Sequence, residues 1–149
     1  MRAILVLAVA AVAACAARQE TETEASASAG LGDFVGDWDA TLQPQNNSGV
    51  TGTARVQSAL AASAVTITIS GATANAHHPW HVHTGTCGSG GPIVGAANAY
   101  PALHVATNGT ATATASIGVA LNEEQKYHVN VHRSEAELNV IISCGNLDD

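Results

Sequence analysis

The amino-acid sequence predicts an all-β domain, an antiparallel β-sandwich or flattened barrel of about eight short strands, over residues 33–149. Three observations support this fold class. Short segments that alternate apolar and polar residues, or are rich in β-branched residues, recur from residue 37 onward. The connections between them are rich in Gly, Asn, Pro and Ser. Helix signals are scarce in the same region.

The strand signals can be followed along the chain. The first half contains WDATLQ (38–43), TGTARVQS (51–58) and AVTITISG (64–71). An Asn-Gly step at Asn108-Gly109, followed by Thr/Ala alternation, predicts a hairpin turn. LNEEQ (121–125) predicts a turn before a strand, and the last two strands are predicted in KYHVNVHR (126–133) and ELNVIISC (137–144). The region 84–101 has no strand signal, and a loop of that length is usually functional.

The N-terminal segment differs in composition from the rest of the chain. Residues 1–14 hold one basic residue and a short apolar run, which predicts a signal peptide rather than a membrane-spanning helix. Small residues before Cys15 are typical of a lipoprotein signal, so we expect Cys15 to be lipidated and 15–32 to form a disordered tether. Cleavage that discards Cys15 is the alternative. Either reading predicts an exported protein of the periplasm or cell envelope, which contacts a membrane only through a lipid anchor.

Charge and cysteine content limit the function classes. The net charge is −7, with five Lys and Arg residues and few aromatics, which argues against a nucleic-acid surface. With Cys15 set aside, Cys87 and Cys144 remain in a compartment that permits oxidation, and two such thiols favour one disulfide. Thiolate metal ligands, the alternative, would need a reducing compartment and a CxxC-like spacing.

The histidines are concentrated in one part of the chain. All seven lie within 77–132, four of them in the stretch HHPWHVH. Successive side chains of a strand face opposite sides. Trp80 and Val82 are therefore predicted to enter the core, while His81 and His83 share the outer face.

The predicted strand 126–133 alternates in the same way. Its outer face would carry His128, Asn130 and His132, and the tyrosine and valines between them would face the core. If the two strands are neighbours, His81, His83 and His132 can converge on one ion.

Three neutral imidazoles with an open position suit copper or zinc, and copper has the higher intrinsic affinity. No carboxylate lies in or next to either histidine strand except Glu135, which argues against calcium, magnesium or manganese. The residues alone leave a second interpretation open, in which these are surface histidines without a ligand.

Four short motifs, HHPWHVHTGTC, GGPIVG, VNVH and SCGNL, together resemble those of the copper–zinc superoxide dismutase family, over roughly residues 38–147. The resemblance implies a Greek-key barrel with copper on its outer wall. By motif position it implies His81, His83 and His132 as copper ligands, and His78 as the structural histidine that braces a loop.

The resemblance also bears on the cysteines and on what is missing. Cys87 and Cys144 correspond to the family's intrasubunit disulfide. The histidine that bridges copper and zinc in the family is replaced here by Ile93, and the following stretch has no aspartate and no histidine before His104, so no zinc site is predicted. The guiding arginine of the family is replaced by residues of the segment 140–143, and the loop before it is shortened. The rate of dismutation and the electrostatic steering of superoxide should therefore be lower than in the family.

Other polar residues have secondary roles in this interpretation. His128 and Asn130 are the best substitutes for the proton relay and for a hydrogen-bond donor near the metal, and His128 or His104 could be an extra ligand. Arg133 is expected to be a solvated charge. His77 falls on the same face as the predicted ligands, but it precedes Pro79 and is not expected to be one of the main ligands.

The sequence therefore predicts an exported copper-only superoxide dismutase that acts on superoxide at a three-histidine site. The alternative is a copper buffer or delivery protein that kept the ligands but lost the catalytic apparatus. A β-sandwich that only contacts a partner through its loops is the third interpretation, which the retained histidines disfavour.

Overall fold

The structure is a computed structural model that describes residues 33–149. The predicted signal peptide (1–14), the tether (15–32) and Cys15 lie outside the described residues. The described part contains nine strands and two short 3-10 helices, Ala97–Ala99 and Glu135–Glu137. The strands are β1 (Phe34–Pro44), β2 (Thr51–Ala59), β3 (Ser63–Ser70), β4 (His77–His78), β5 (Trp80–Thr84), β6 (Leu103–His104), β7 (Ala111–Ile117), β8 (Tyr127–His132) and β9 (Ile141–Leu147).

Seven of the strands form one antiparallel sheet in the order β5-β8-β9-β1-β2-β3-β7, and β4 pairs with β6 in a second, small sheet. The large sheet curls into a half-barrel around the core. The predicted all-β fold class is therefore confirmed. The strand count exceeds the prediction because β4 and β6, of two residues each, have no strand signal of their own. Within residues 33–149 we find no helix with the length and apolarity needed to cross a membrane.

Residue alternation explains why the central strands form and which face they bury. In β3 the β-branched residues Val65, Ile67 and Ile69 are fully buried, while the threonines between them face solvent. Those threonines lie opposite threonines of β7, and the hydroxyls of Thr68 and Thr112 are 2.9 Å apart. Each cross-strand pair of this kind stabilises the sheet by about 0.2–1 kcal/mol. Most of the stabilisation of the sheet therefore comes from its buried face.

The Asn108-Gly109 turn exists, but it does not join a hairpin. Gly109 has a φ of +80°, which glycine adopts at no steric cost, and the Asn108 side chain accepts a hydrogen bond from the Thr110 N–H. The strand before the turn, β6, pairs with β4, and the strand after it, β7, pairs with β3. The chain therefore passes from the small sheet to the large sheet at this turn. Tertiary packing, and not the turn sequence, determines which strands pair here.

The segment ELNVIISC also differs from its predicted structure. Residues 135–137 form a 3-10 helix, Leu138 is 47% exposed, and β9 begins only at Ile141 and continues past Cys144 to Leu147. The early part of this segment instead turns back over β8, where the Leu138 carbonyl accepts a hydrogen bond from a histidine.

The long loop after β5 lies along the edge of that strand. The Thr84 N–H donates to the Pro92 carbonyl at 3.0 Å, and the Val94 N–H donates to the Val82 carbonyl at 2.9 Å. These bonds satisfy backbone groups that an open edge strand would leave unpaired. The loop is therefore held against β5, next to the histidines of that strand.

The disulfide between Cys87 and Cys144 is present and ties this loop to β9. It confirms the predicted pairing. The Cys87 N–H also donates to the side-chain oxygen of Asn146 at 2.8 Å, so the loop is held to β9 at the disulfide by two independent connections.

We predict that replacing Cys87 and Cys144 by serine lowers the free energy of unfolding. The bond closes a loop with a sequence separation of 57 residues, for which the chain-entropy argument gives about 4 kcal/mol. Urea denaturation of the oxidised protein and of the double variant measures the change. The unaltered protein, assayed in reductant, is the control and should match the variant. Equal urea midpoints for oxidised protein and variant would contradict the prediction.

Candidate metal centre

Three histidines from two neighbouring strands converge on one point of the curled sheet. β5 pairs with β8 so that His81 lies opposite Asn130 and His83 lies opposite His128. In the pairing of β8 with β9, the register shifts between Val131 and His132, at the end of β8. One ligand nitrogen from each of His81, His83 and His132 lies within 4.8 Å of the other two. These are the three residues whose convergence the strand alternation predicts.

A backbone carbonyl orients the His132 ring. Its Nδ1–H donates to the Leu138 carbonyl at 2.6 Å. Since a carbonyl can only accept, the proton must be on Nδ1, and Nε2 keeps a free lone pair. Hydrogen bonds of this kind fix the tautomer of a metal-ligating histidine and raise its basicity.

A second carbonyl orients the His83 ring in the same way. Its Nδ1–H donates to the Gly91 carbonyl at 2.8 Å. Its Nε2 is buried and has no hydrogen-bond partner among the described residues. A buried nitrogen lone pair without a donor costs about 1–3 kcal/mol, and it is a position where a cation would be bound favourably.

The third ring, His81, contacts His132 through its Nδ1. The His81 Nδ1 lies 3.1 Å from the His132 Nε2. Because the Leu138 hydrogen bond leaves the His132 Nε2 unprotonated, the His81 Nδ1–H is the donor in the metal-free protein. A metal ion would replace that proton and bind both lone pairs, so binding must move the His81 proton to Nε2 or release it.

These distances fit a metal ion. The His81 Nδ1 and the His132 Nε2 are 3.1 Å apart, which is close enough for both to bind one ion at about 2.0–2.1 Å each. One nitrogen of each of the three rings lies within 4.8 Å of the other two, which is close to twice a metal–nitrogen bond length of about 2.0–2.1 Å, so small movements of the rings would let all three bind one ion.

The histidine face of the sheet is covered rather than open. His81, His132 and His128 are 8%, 5% and 0% exposed, whereas strand alternation predicts only that they lie opposite the core. The covering groups are the loop that contains Gly91 and the segment that contains Leu138.

Burial keeps the imidazoles neutral. It lowers the pKa of His81 to about 4, with further lowering by the neighbouring His132 and His83. Burial also lowers the pKa of His132, against the opposing effect of the Leu138 hydrogen bond. Neutral imidazole is the form that binds a metal. Lowered pKa values keep both rings neutral at pH 7, and on binding only the position of the His81 proton has to change.

His128 and Asn130 lie beside the cluster and are not members of it. The His128 ring stacks on the His83 ring, with centroids 5.3 Å apart and 21° between the planes. The Asn130 amide donates to the His128 Nε2 at 3.4 Å, a long hydrogen bond. Burial, and secondarily His83, lowers the pKa of His128. His128, predicted as a possible extra ligand, stacks on the His83 ring and lies outside the close-set group of ligand atoms.

His78 and Arg133 meet at the end of β8. The His78 Nδ1–H donates to the Arg133 carbonyl at 2.8 Å and lies 3.2 Å from the His132 carbonyl. His78 thus holds the end of β8, a bracing position. The Arg133 guanidinium is exposed and pairs with Glu137 at 3.3 Å.

His104 and His77 do not reach the cluster. They lie opposite each other in the small β4–β6 sheet. The three-histidine group is therefore the metal-competent group of three or more ligating residues found among residues 33–149, and His104 is not one of its members.

A cleft of about 500 Å³ leads from solvent to His83, His132 and Asn130. Its other walls are formed by the glycines of the 88–91 loop and by side-chain amides such as that of Gln45. None of the described residues that line it carries a charge. A second cavity, of about 300 Å³, is lined by His81 together with Ile93 and Tyr100.

Two functional groups of the site were missed by sequence reasoning, the carbonyls of Gly91 and Leu138. Backbone acceptors leave no side-chain signal, since every residue carries one. A signal for Gly91 exists in hindsight: a Cβ at this position would lie 1.8 Å from the Thr84 carbonyl oxygen, so the close approach of the loop to β5 requires glycine.

Comparison of the chain with protein-family models gives no match, and comparison with curated proteins gives none either.

We predict that Gly91→Ala weakens metal binding without removing a ligand. The added methyl group would push the loop away from Thr84 and displace the carbonyl that orients His83. Loss of such a supporting hydrogen bond costs about 10–100-fold in metal affinity. Competition titration of Cu²⁺ against a chelator measures it.

Gly118→Ala is the matched control. A Cβ at Gly118 meets nothing within 4 Å, so this variant should keep the affinity of the unaltered chain. If the two variants bind Cu²⁺ equally well, the Gly91 carbonyl does not position His83.

Proposed function

We propose that this chain is an exported copper-binding protein of the superoxide dismutase type, which dismutates superoxide at His81, His83 and His132. The observation that carries the proposal is the orientation of the imidazoles. His83 and His132 each donate Nδ1–H to a backbone carbonyl, so that their Nε2 atoms face the same point as the His81 Nδ1. Such second hydrogen bonds are typical of metal-ligating histidines.

The donor set supports copper. It consists of neutral nitrogen donors alone, and copper binds such a set more tightly than the other first-row divalent ions do. Cys87 and Cys144 are joined to each other and cannot supply thiolates. Glu135 lines the cavity beside His81, but it is not part of the close-set group of ligand atoms.

The likeness in motif order gains support from three further features: the disulfide, His78 and Ile93. The disulfide joins the loop after β5 to the last strand, and His78 braces the end of β8, as the resemblance implies for both. Ile93 lies opposite His83 in an isolated bridge and lines the cavity beside His81. An alkyl side chain therefore stands where the family has its bridging histidine, which supports a copper-only site.

Bound copper would supply one-electron exchange: one superoxide gives up an electron and leaves as dioxygen, and a second takes that electron with two protons and leaves as hydrogen peroxide. The protein's own residues bind and orient the ligand rings. The cleft gives a small anion and its protons access from solvent beside Asn130. His128, held by Asn130 and stacked on His83, is an ionisable group beside the ligands that could pass a proton in this site.

The proposed location is the periplasm or cell envelope. It rests on the signal-like residues 1–14, on Cys15 as a lipidation site and on the polar tether 15–32. An oxidising compartment is also the one in which a disulfide such as Cys87–Cys144 persists.

A copper buffer or delivery protein is the second candidate, and the uncharged cleft favours it. An enzyme that attracts superoxide gains rate from a cationic group at its entrance, and none of the described lining residues supplies one. A protein that only holds copper would need no such group.

We predict that His132→Ala removes both copper retention and dismutation. It deletes a ligand and leaves the Leu138 carbonyl without its donor, so the loss of affinity should exceed the about 10–100-fold typical of a lost supporting partner. Copper content after dialysis against a mild chelator and the rate of superoxide decay measure the two effects.

Arg133→Ala is the control for this experiment. Its guanidinium pairs with Glu137 and not with the site, so copper content and rate should be those of the unaltered chain. Copper retained without turnover in the unaltered chain would establish the buffer instead of the enzyme. Full activity in His132→Ala would refute both candidates.

A second prediction concerns ionic strength. The cleft is uncharged and the chain carries a net charge of −7, so superoxide is weakly repelled rather than steered. The bimolecular rate constant should stay constant or rise by less than about twofold between 0.01 and 0.1 M salt, over which the Debye length falls from about 30 to 10 Å. Pulse-radiolysis rates across this range test it, and a steep fall with added salt would show that a cationic group guides the anion.

A further inference from the structure

The histidine pair formed by His77 and His104 lies outside the site described above. The two residues are directly opposite each other in the β4–β6 sheet. The Val105 N–H donates to the Ala76 carbonyl at 2.9 Å, which makes His77 and His104 a non-hydrogen-bonded pair. In such pairs the Cα atoms approach to about 4.5 Å and the side chains are closest. The ring centroids are 4.2 Å apart.

The surroundings hold this pair at the surface. Leu103 and Val105, on either side of His104, are buried in the core, and His78, next to His77, points inward to the end of β8. Because side chains alternate along a strand, His77 and His104 both face solvent, and both are exposed. The sheet fixes the spacing of their backbones, and the exposed rings are open to a metal ion from solvent.

The chemistry of the pair is that of a bidentate nitrogen ligand. Within residues 33–149 neither imidazole takes part in a hydrogen bond, so no partner competes for its lone pairs. The flanking segments 71–80 and 100–110 contain no aspartate or glutamate. An all-nitrogen pair of this kind suits copper, nickel or zinc, whereas calcium and magnesium need oxygen ligands.

We propose that His77 and His104 form a second, surface metal site that binds a divalent transition-metal ion through one nitrogen of each imidazole, with water in the remaining positions. Cu²⁺ is bound most tightly, in keeping with the order of intrinsic affinities. The site shares no residue with the His81–His83–His132 cluster and does not depend on its function. With two ligands and open access it exchanges its ion faster than the buried cluster does.

The test is a titration of the full-length chain, without a histidine tag, with Cu²⁺ in the presence of a weak competing chelator. His77→Asn and His104→Asn keep a polar side chain on an exposed position, so the fold should persist, which thermal unfolding checks. Each should bind one equivalent fewer than the unaltered chain, with affinity for that equivalent reduced by about tenfold or more. The double variant should lose no more than either single one, because a bidentate site is lost with one ligand.

His132→Ala is the reciprocal control. It should keep the exchangeable equivalent, whose electron paramagnetic resonance signal should show two nitrogen ligands, whether or not the buried cluster binds copper. Equal stoichiometry in His77→Asn, His104→Asn and the unaltered chain would overturn the proposal. So would additive losses in the double variant, which would mean that each histidine binds a separate ion.

Discussion

The antiparallel pairing of β5 with β8 determines where every group of the buried histidine cluster lies. In this register His83 faces His128 and His81 faces Asn130. The outward-facing side chains of both strands are therefore imidazoles or an amide. The side-chain period of a strand is two, so a slip of one residue would place Trp80 and Val82 at the cluster and the imidazoles in the core. Burial of Trp80, which is 0% exposed, therefore fixes the site as well as the fold. The Trp80 Nε1–H donates to the Pro101 carbonyl at 2.7 Å, which satisfies the one polar group that this burial would otherwise leave without a partner.

Alternation of side chains accounts for what the sequence could predict about the site. It separates Trp80 and Val82 from His81 and His83, and it gives the same division in β8, where Val129 is fully buried in the core. The disulfide was also predictable, since only two cysteines follow Cys15 in an exported chain. The covering of the histidine face was not. It depends on loops whose position is set by close approach, such as that of Gly91 to Thr84, and on a carbonyl of Leu138, which no side-chain pattern reveals. The pairing of β6 with β4 was hidden for a related reason, because two-residue strands are too short to show a period.

Covering the imidazoles has an energetic consequence that links the site to the stability of the fold. The unpartnered Nε2 of His83 costs free energy in the metal-free protein. The lowered pKa of His81 adds a cost only below about pH 6.5, where the unfolded chain would bind a proton that the folded chain does not. A bound cation removes the first cost by accepting the lone pair. It also stabilises the folded state in proportion to the logarithm of its concentration above the dissociation constant. His83 and His132 hold their Nδ1–H groups on backbone carbonyls, and this orientation is the one expected of a preorganised metal site.

The different fates of the histidines follow from their hydrogen bonds rather than from their spacing. His78 gives its Nδ1–H to carbonyls at the end of β8 and acts on His132 through the backbone, although it is adjacent in sequence to the exposed His77. His83 and His132 direct their protons away from one shared point, and this direction, more than their proximity, makes them candidate ligands. His128 lies outside the close-set group of ligand atoms, and its Nε2 accepts a long hydrogen bond from Asn130. A dense histidine motif such as HHPWHVH consequently does not describe one crowded site. It contributes a surface residue, a brace and two ligand candidates, and the strand pairing supplies the third.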